Sequence, residues 1–371
     1  MIQVVQENDK YLTDQLITCI GNKRNLLPFI GKALSLVRER EGKSALSFFD
    51  VFSGSGIVSR YFRQFASCIV ANDLEPYATT ISRCYLSPSS LMRSPEFIAV
   101  WQSIRNKLDH EPLLPGPLSR HYAPQDDTHI GQGERVFYTS RNARYLDTAR
   151  ALIAQAPLQW QDLLLAPLLS EASIHANTAG VFKGFYKNAE TGVGTFGGKK
   201  GDALSRIMGN IHLELPVTSA FDCPAIVLSG DANEVSRIAP EVDIAYLDPP
   251  YNQHPYGSNY FMLNLLVDGN EPEKPSAISG IPAHWNRSRY NKRIEAALAL
   301  EDLVSSLKAS YLLISFNSEG FISRGIMETL LQKFGEVHIM ETPYSVFRGS
   351  RNLAGREKQV TEYLYLVKKN A

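Results

Sequence analysis

No run of apolar residues in this 371-residue chain approaches the roughly 20 needed to cross a bilayer, and the opening MIQVVQENDKYLTD has neither a basic leader nor an apolar signal core. The expectation is a cytoplasmic protein with no membrane partner. Cysteine is scarce: Cys19, Cys68, Cys84 and Cys223 are far apart and form no C-x-x-C pair, which argues against a zinc site and a disulfide framework. Each reads as a small buried hydrophobe, and no metal is expected. Neither sign of charge is in excess, since 38 basic and 38 acidic residues cancel, and this argues against a protein that coats nucleic acid non-specifically. Internal repeats and low-complexity tracts are absent too. What is present, 44% hydrophobic and 20% charged positions, is a globular composition with length for one large domain and a second smaller one.

Short β-type runs punctuate the chain: Ser47 to Phe52, Cys68 to Asn72, Ala225 to Leu228, Asp243 to Leu247, Tyr311 to Phe316, Glu336 to Met340 and Thr361 to Val367. Most are followed by helix-like segments, and that alternation predicts a mainly parallel sheet covered on both faces. The last two runs enclose a Gly/Ser/Arg-rich loop, Phe347 to Arg356, and suit an antiparallel pair. Between Leu86 and Leu215 the rhythm stops for longer than any loop of a compact domain, so residues 86–215 read as a folded insertion in a sheet domain built from 1–85 and 216–371. Within it, Phe97 to Leu108, Ala143 to Ala156 and Leu163 to Leu169 carry helical patterns. Asn177 to Gly201 is rich in Gly, Thr and Lys, a composition suited to a mobile loop lying against a phosphate backbone. A flexible surface loop would look the same.

The first residues that carry chemistry are Asp50-Val51-Phe52-Ser53-Gly54-Ser55-Gly56, where a strand breaks into a helix beginning near Ile57. Glycines there let the backbone turn tightly and approach a ligand, and the helix start offers unpaired N–H groups. Ser59 could serve as the third small residue of a dinucleotide fingerprint, which keeps a nicotinamide enzyme in competition. Asp73, 19 residues after Gly54, stands where a carboxylate grips ribose hydroxyls in either reading. Only a ligand with a cationic amino group near the Gly loop gives Asp50 a reason, and S-adenosylmethionine has one.

The deciding signal is Asp243 to Leu247 running into Asp248-Pro249-Pro250-Tyr251. This puts a carboxylate, a rigid carbonyl and an aromatic ring at the C-terminal edge of a parallel sheet, where such sheets bind ligands. The two prolines fix φ and remove two backbone donors, leaving stiff backbone with free acceptors. An aromatic amino group such as adenine's is a poor nucleophile because its lone pair is delocalised. Accepting its N–H bonds on Asp248 and on the Pro249 carbonyl favours pyramidal nitrogen, and Tyr251 can stack on the base.

On these residues the chain resembles the DNA adenine methyltransferases of restriction-modification and Dam type, in the class with cofactor motifs first, a target-recognition insertion next and D-P-P-Y last. The resemblance implies an α/β fold, a seven-stranded Rossmann-like methyltransferase sheet with a large inserted target-recognition domain, and methyl transfer from S-adenosylmethionine to adenine N6 in a flipped-out nucleotide of duplex DNA. By the same match Ile20 to Leu27 looks like the N-terminal cofactor motif, with Gly21 and Lys23 as contacts. Phe52, Gly54 and Gly56 match the Gly loop, Asp73 the ribose acid, and Asp231 the residue that holds the cofactor's adenine; Asp248 faces both cofactor and base. Transfer to cytosine N4 is the nearest alternative, because cytosine also carries an aromatic amine, and RNA or protein-glutamine methylation is more distant. A catalytically dead DNA-binding module is the rival from another class.

The family's DNA side is expected in three basic windows. Lys183 and Lys187 stand in the first, Arg287, Arg289, Tyr290, Lys292 and Arg293 in the second, and Arg348 in the third. Tyr256 to Tyr260 is grouped with them, and Ser315 to Ser318 is expected to line the base pocket. Any one basic window alone is also what a solvated face looks like. Double-stranded DNA is the expected partner, a cognate restriction endonuclease a possible second, and monomeric action the expected state. The insertion does not align with the Dam proteins, so their target sequence is not carried over.

Overall fold

The computed structural model describes residues 6–198, 201–345 and 359–370. Each of the seven expected runs forms a strand: β1 Leu46–Asp50, β2 Ala66–Asp73, β3 Ala225–Ser229, β4 Val242–Leu247, β5 Ala309–Asn317, β6 Gly335–Ser345 and β7 Gln359–Lys369. They make one sheet in the order β3-β2-β1-β4-β5-β7-β6. Strands β1 to β5 pair in parallel, and β7 runs antiparallel to both β5 and β6. This is the seven-stranded Rossmann-like arrangement.

Alternation along the strands feeds two apolar layers. Phe48, Ile244 and Leu313 join one core with the helix Leu27–Glu41, while Phe49, Ala245 and Leu312 join another with the helices Ala232–Ile238, Ala296–Ser306 and Arg324–Leu331. The helix Leu27–Glu41 shows why the chain takes this form locally. Ile30, Ala33, Leu34 and Val37 recur at helical spacing and are buried, Pro28 sits in the first turn, and Gly42 ends the helix at φ +62°. From β1 the chain winds outward through β2 and β3, whereas β4 starts the other half beside β1. That reversal makes the carboxyl ends of β1 and β4 the place where such a sheet binds its ligand.

The inserted stretch is helical, with Pro95–His110, Ser140–Ala154 and Leu158–Ile174 as its long elements and an isolated bridge between Lys187 and Gly194. Its core is not its own. Leu163 to Leu169 share one continuous apolar cluster with Tyr77, Ala78 and Ile81 of the helix Pro76–Tyr85 and with Phe261 to Leu263 and Leu266 of the helix Phe261–Asp268. The 85/86 boundary therefore runs through packed side chains, and among the described residues no strand lies between β2 and β3. The segment expected to be mobile is pinned where it is described: Asn177 Nδ2 donates to the Val136 and Thr195 carbonyls at 2.8 and 2.9 Å, and Phe182 N donates to the Asn259 carbonyl at 2.7 Å. All four cysteines are free, but only Cys84 is fully buried. Among the described residues no group of side chains could hold a metal, and no helix is long and apolar enough to cross a membrane.

Candidate active site

A cleft opens at the carboxyl ends of β1 and β4, lined by Gly21, Lys23, Asp50, Phe52, Gly54, Asp73, Asp231, Asp248 and Pro250, among others. Gly54 and Gly56 take φ of +52° and +70°, the left-handed region glycine favours, and a side chain on Gly54 would project into open space. The Asp73 carboxylate ties this turn down, accepting from Gly54 N at 2.7 Å and from Glu75 N at 2.9 Å. Asp50, at the end of β1, is buried and accepts from Ser59 Oγ at 2.6 Å. Its other oxygen has no partner among the described residues. Burial pushes its pKa up to about 7, Ser59 pulling the other way and Asp248 and Asp73 adding to the rise.

Asp248 follows β4 directly, with Pro249 buried behind it and Pro250 on the cleft wall. Lys23 Nζ lies 2.9 Å from Asp248 Oδ1, 3.5 Å from Glu362 Oε1 and 3.3 Å from the Gly21 carbonyl. Burial opposes the charge on Lys23, but Asp248 and Glu362 outweigh it and raise its pKa. Burial likewise pushes Asp248 up to about 6 while Lys23 pulls it down. Tyr251 packs edge-on against Phe316, with ring centroids 5.9 Å apart, and Lys23 Nζ stands 5.7 Å from its ring centre. Gly21 has φ +78° and would bring any side chain to 3.4 Å from the Tyr256 hydroxyl and 3.5 Å from the Tyr251 hydroxyl. The N-terminal motif is thus threaded against the D-P-P-Y loop.

The family model of D12 class N6 adenine-specific DNA methyltransferases matches residues 20–114 and 123–323. The chain belongs to this class. Its activity is methylation of adenine at N6 in DNA. Among relatives, type II methyltransferase M.NlaIII of Neisseria lactamica is 28% identical, with 94% of this chain and 98% of that protein aligned. Type II methyltransferase M.CviAII of Paramecium bursaria Chlorella virus 1 is 27% identical over 94% and 97%. The modification methylase StsI of Streptococcus sanguinis is 26% identical over 94% of this chain but only 51% of its own length.

The methyltransferase departs from the sequence-based expectation mainly on its DNA side. Tyr290, expected among the DNA contacts, is only 2% exposed. Its hydroxyl donates to Asn233 Oδ1 at 2.9 Å, its ring meets Phe52 edge-on at 5.2 Å, and it lines the cleft beside Asp231, which caps the helix Ala232–Ile238. A side chain sealed in this way cannot also touch DNA. Tyr256 and Tyr260 also turn inward: the Tyr256 hydroxyl donates to the Ile20 carbonyl at 3.0 Å and the Tyr260 hydroxyl accepts from Ile20 N at 2.8 Å, clamping the N-terminal motif. Ser315 is buried and donates to Glu362 Oε1 at 2.8 Å instead of lining an open base pocket.

The cations Lys183, Lys187, Arg287, Arg289, Lys292 and Arg293 are exposed. Lys187 lies over Phe185, Arg287 stacks 4.0 Å from the Trp285 ring centre, and Lys292 pairs with Glu295 at 2.9 Å. Arg348 lies outside the described residues. Two acids went unread in the sequence. Glu75 is buried on the cleft wall and accepts from Asn264 at 2.7 Å and Asn286 at 3.4 Å, and burial pushes it up to about 7. Glu362 is 2% exposed on β7. Its signal was legible after the fact, because in QVTEYLYLV it occupies an inward position of the alternation between Val360 and Leu364.

Proposed function

We propose that the methyltransferase uses S-adenosylmethionine, held in the β1/β4 cleft, to methylate adenine N6 at a specific site in duplex DNA as the modification half of a restriction-modification system, acting as a monomer alongside a cognate endonuclease. The observation that carries the cofactor assignment is Asp50. A buried carboxylate with an oxygen left without a partner suits a cationic amino group, whose charge would offset the burial that raises its pKa. Gly21 and Lys23 would border the cofactor's amino-acid end, Gly54 would let the backbone pass close to the cofactor with no side chain in the way, Gly56 would hold the turn through its bond to the Ser53 carbonyl, and Asp73 would take the ribose hydroxyls through lone pairs its two backbone bonds leave free. Phe52, Asp231 and Tyr290 would enclose the adenine. When bound, the cofactor supplies a methyl group already activated on a sulfonium.

The chain's own residues then have to position an amine. Asp248 accepts one N–H of the target amino group and the Pro249 carbonyl the other, with the Pro249-Pro250 backbone holding both acceptors still. Tyr251, buttressed by Phe316, supplies a flat face for the base. As nitrogen becomes quaternary in character, the Asp248 carboxylate meets its developing positive charge, and the proton that leaves the methylated amine passes to solvent. His254, exposed in the following loop, is not needed as a base. Purified protein incubated with radiolabelled S-adenosylmethionine and mixed genomic DNA should yield label in N6-methyldeoxyadenosine after digestion to nucleosides. Label in cytosine, or none with cofactor binding intact, would overturn the reading.

A further inference from the structure

Lys23 Nζ has three oxygen neighbours: it donates to the Gly21 carbonyl at 3.3 Å and pairs by charge with Asp248 Oδ1 at 2.9 Å and Glu362 Oε1 at 3.5 Å, and Asp248 Oδ1 accepts no hydrogen bond among the described residues. The lysine is 4% exposed and Glu362 2%, so neither is screened by water. Nothing in the reading above needs Glu362. A lysine facing Asp248 alone would form a neutral buried pair, and a carboxylate so quenched is a weak acceptor for an amine that is turning cationic. A second carboxylate on the same ammonium changes the balance: the trio of Lys23, Asp248 and Glu362 carries a net single negative charge. Glu362 is itself fixed, since Ser315 Oγ donates to its Oε1 at 2.8 Å across the β5–β7 pairing that sets Asn317 opposite Glu362.

We propose that Glu362 is a positioning residue for methyl transfer: anchored by Ser315, it shares Lys23 with Asp248 and so keeps the Asp248 carboxylate free to hold the target amine and to meet the charge growing on it. The idea rests on the assignment of Asp248 as the amine's acceptor. It concerns how strongly that acceptor is charged when the amine arrives. The groups facing Asp248 are Lys23 and Cys19 from the N-terminal segment, Asp50 at the end of β1, Tyr246 on β4, Tyr251 and Tyr256 after it, Tyr344 on β6 and Glu362 on β7. Of the carboxylates, Glu362 is the one that touches the same ammonium, and its charge acts on Asp248 in the upward direction.

The test is Glu362→Gln, which keeps the volume and an oxygen for Ser315 and Lys23 but removes the charge. At saturating DNA and cofactor the single-turnover rate should fall about ten-fold, with KM for both within about two-fold. The acid limb of the rate should move to lower pH, because Asp248 loses the neighbour that raises its pKa. Glu362→Asp should leave that limb where it lies in the wild type. Ser315→Ala, which frees Glu362 without altering charge, should lower the rate less and leave the limb unmoved; it serves as the test if Glu362→Gln does not fold, as judged by melting and by binding of S-adenosylhomocysteine. A Glu362→Gln enzyme with wild-type rate, or one whose rate falls with the limb in place, overturns the proposal, as does a Ser315→Ala enzyme with an unchanged rate. If Asp248→Ala retains turnover, it is the underlying acceptor assignment that has failed; if Asp248→Ala is dead and Glu362→Gln is normal, only the role of Glu362 has.

Discussion

The cleft at the sheet edge and the basic surface of this methyltransferase are built in opposite ways. At the sheet edge, the charged groups Lys23, Asp50, Glu75 and Glu362 are buried and fixed by named partners at 2.6–3.5 Å. Across the insertion and the segment after D-P-P-Y, Lys183, Lys187, Arg287, Lys292 and Arg293 are exposed; Lys187, Arg287 and Arg293 lie over aromatic rings and Lys292 pairs with a surface acid. Chemistry on a poor nucleophile needs acceptors that do not reorganise as charge develops, whereas gripping a phosphate backbone needs only mobile cations and the release of counterions. The same kinds of charged side chain are buried and fixed in one place and held at the surface in the other.

That contrast can be broken most directly at Asp248. Asp248→Ala should lower the methyl-transfer rate by about 10²–10³ or more, with retention on DNA in a gel-shift assay largely preserved; equal loss of both would mean that the two sides are not separable. Next in size is Asp50→Asn, expected to weaken S-adenosylmethionine binding by about 30-fold, since a buried charge partner is lost, while S-adenosylhomocysteine, which keeps the amino group, should weaken alike. Calorimetry decides it. The same variant sharpens the comparison through pH. Asp50 is raised from 3.8 to about 7 in the fold, so its contribution to stability is fully present below the unfolded value and is lost as pH rises through about 7. Without ligand, the melting temperature should therefore climb as pH falls from 8 toward 5, and Asp50→Asn should flatten part of that climb.

A smaller effect is expected from Asp248 itself: turnover in the wild type should decline on the acid side near pH 6, where the carboxylate takes up the proton it must not carry. Smallest should be the paired change Lys183→Ala with Lys187→Ala. It should leave the single-turnover rate at saturation alone and reduce the slope of log affinity against log salt by about 2, roughly one per phosphate contact. An unchanged slope would remove this segment from the DNA interface.

The sheet was legible because each strand is a short apolar run whose periodicity is local, and the D-P-P-Y and Gly-loop residues were legible because each motif is contiguous. Boundaries shifted by a few residues, as in β2, which starts at Ala66 before the purely apolar stretch. What could not be read was which side chains close on one another across the fold. Tyr290 sits among Arg287, Arg289, Lys292 and Arg293, so composition placed it with them, yet a short 3-10 turn over Arg289–Asn291 swings its ring inward onto Phe52. Tyr256 and Tyr260 looked like base-stacking aromatics because nothing local betrays a hydrogen bond to residue 20. Glu362 carries no motif, and its meaning depends on a strand pairing that brings it beside Ser315 and on a lysine far upstream.

Strand β7 lies between β5 and β6, although it follows both in the chain. β6 and β7 are consecutive and pair antiparallel along their whole length, so they can form as a hairpin that joins the sheet by setting β7 against the edge of β5. Until it arrives, Lys23 has only one of its two carboxylates. The same strand thus completes both the sheet and the buried charge cluster around Lys23, since it brings Glu362.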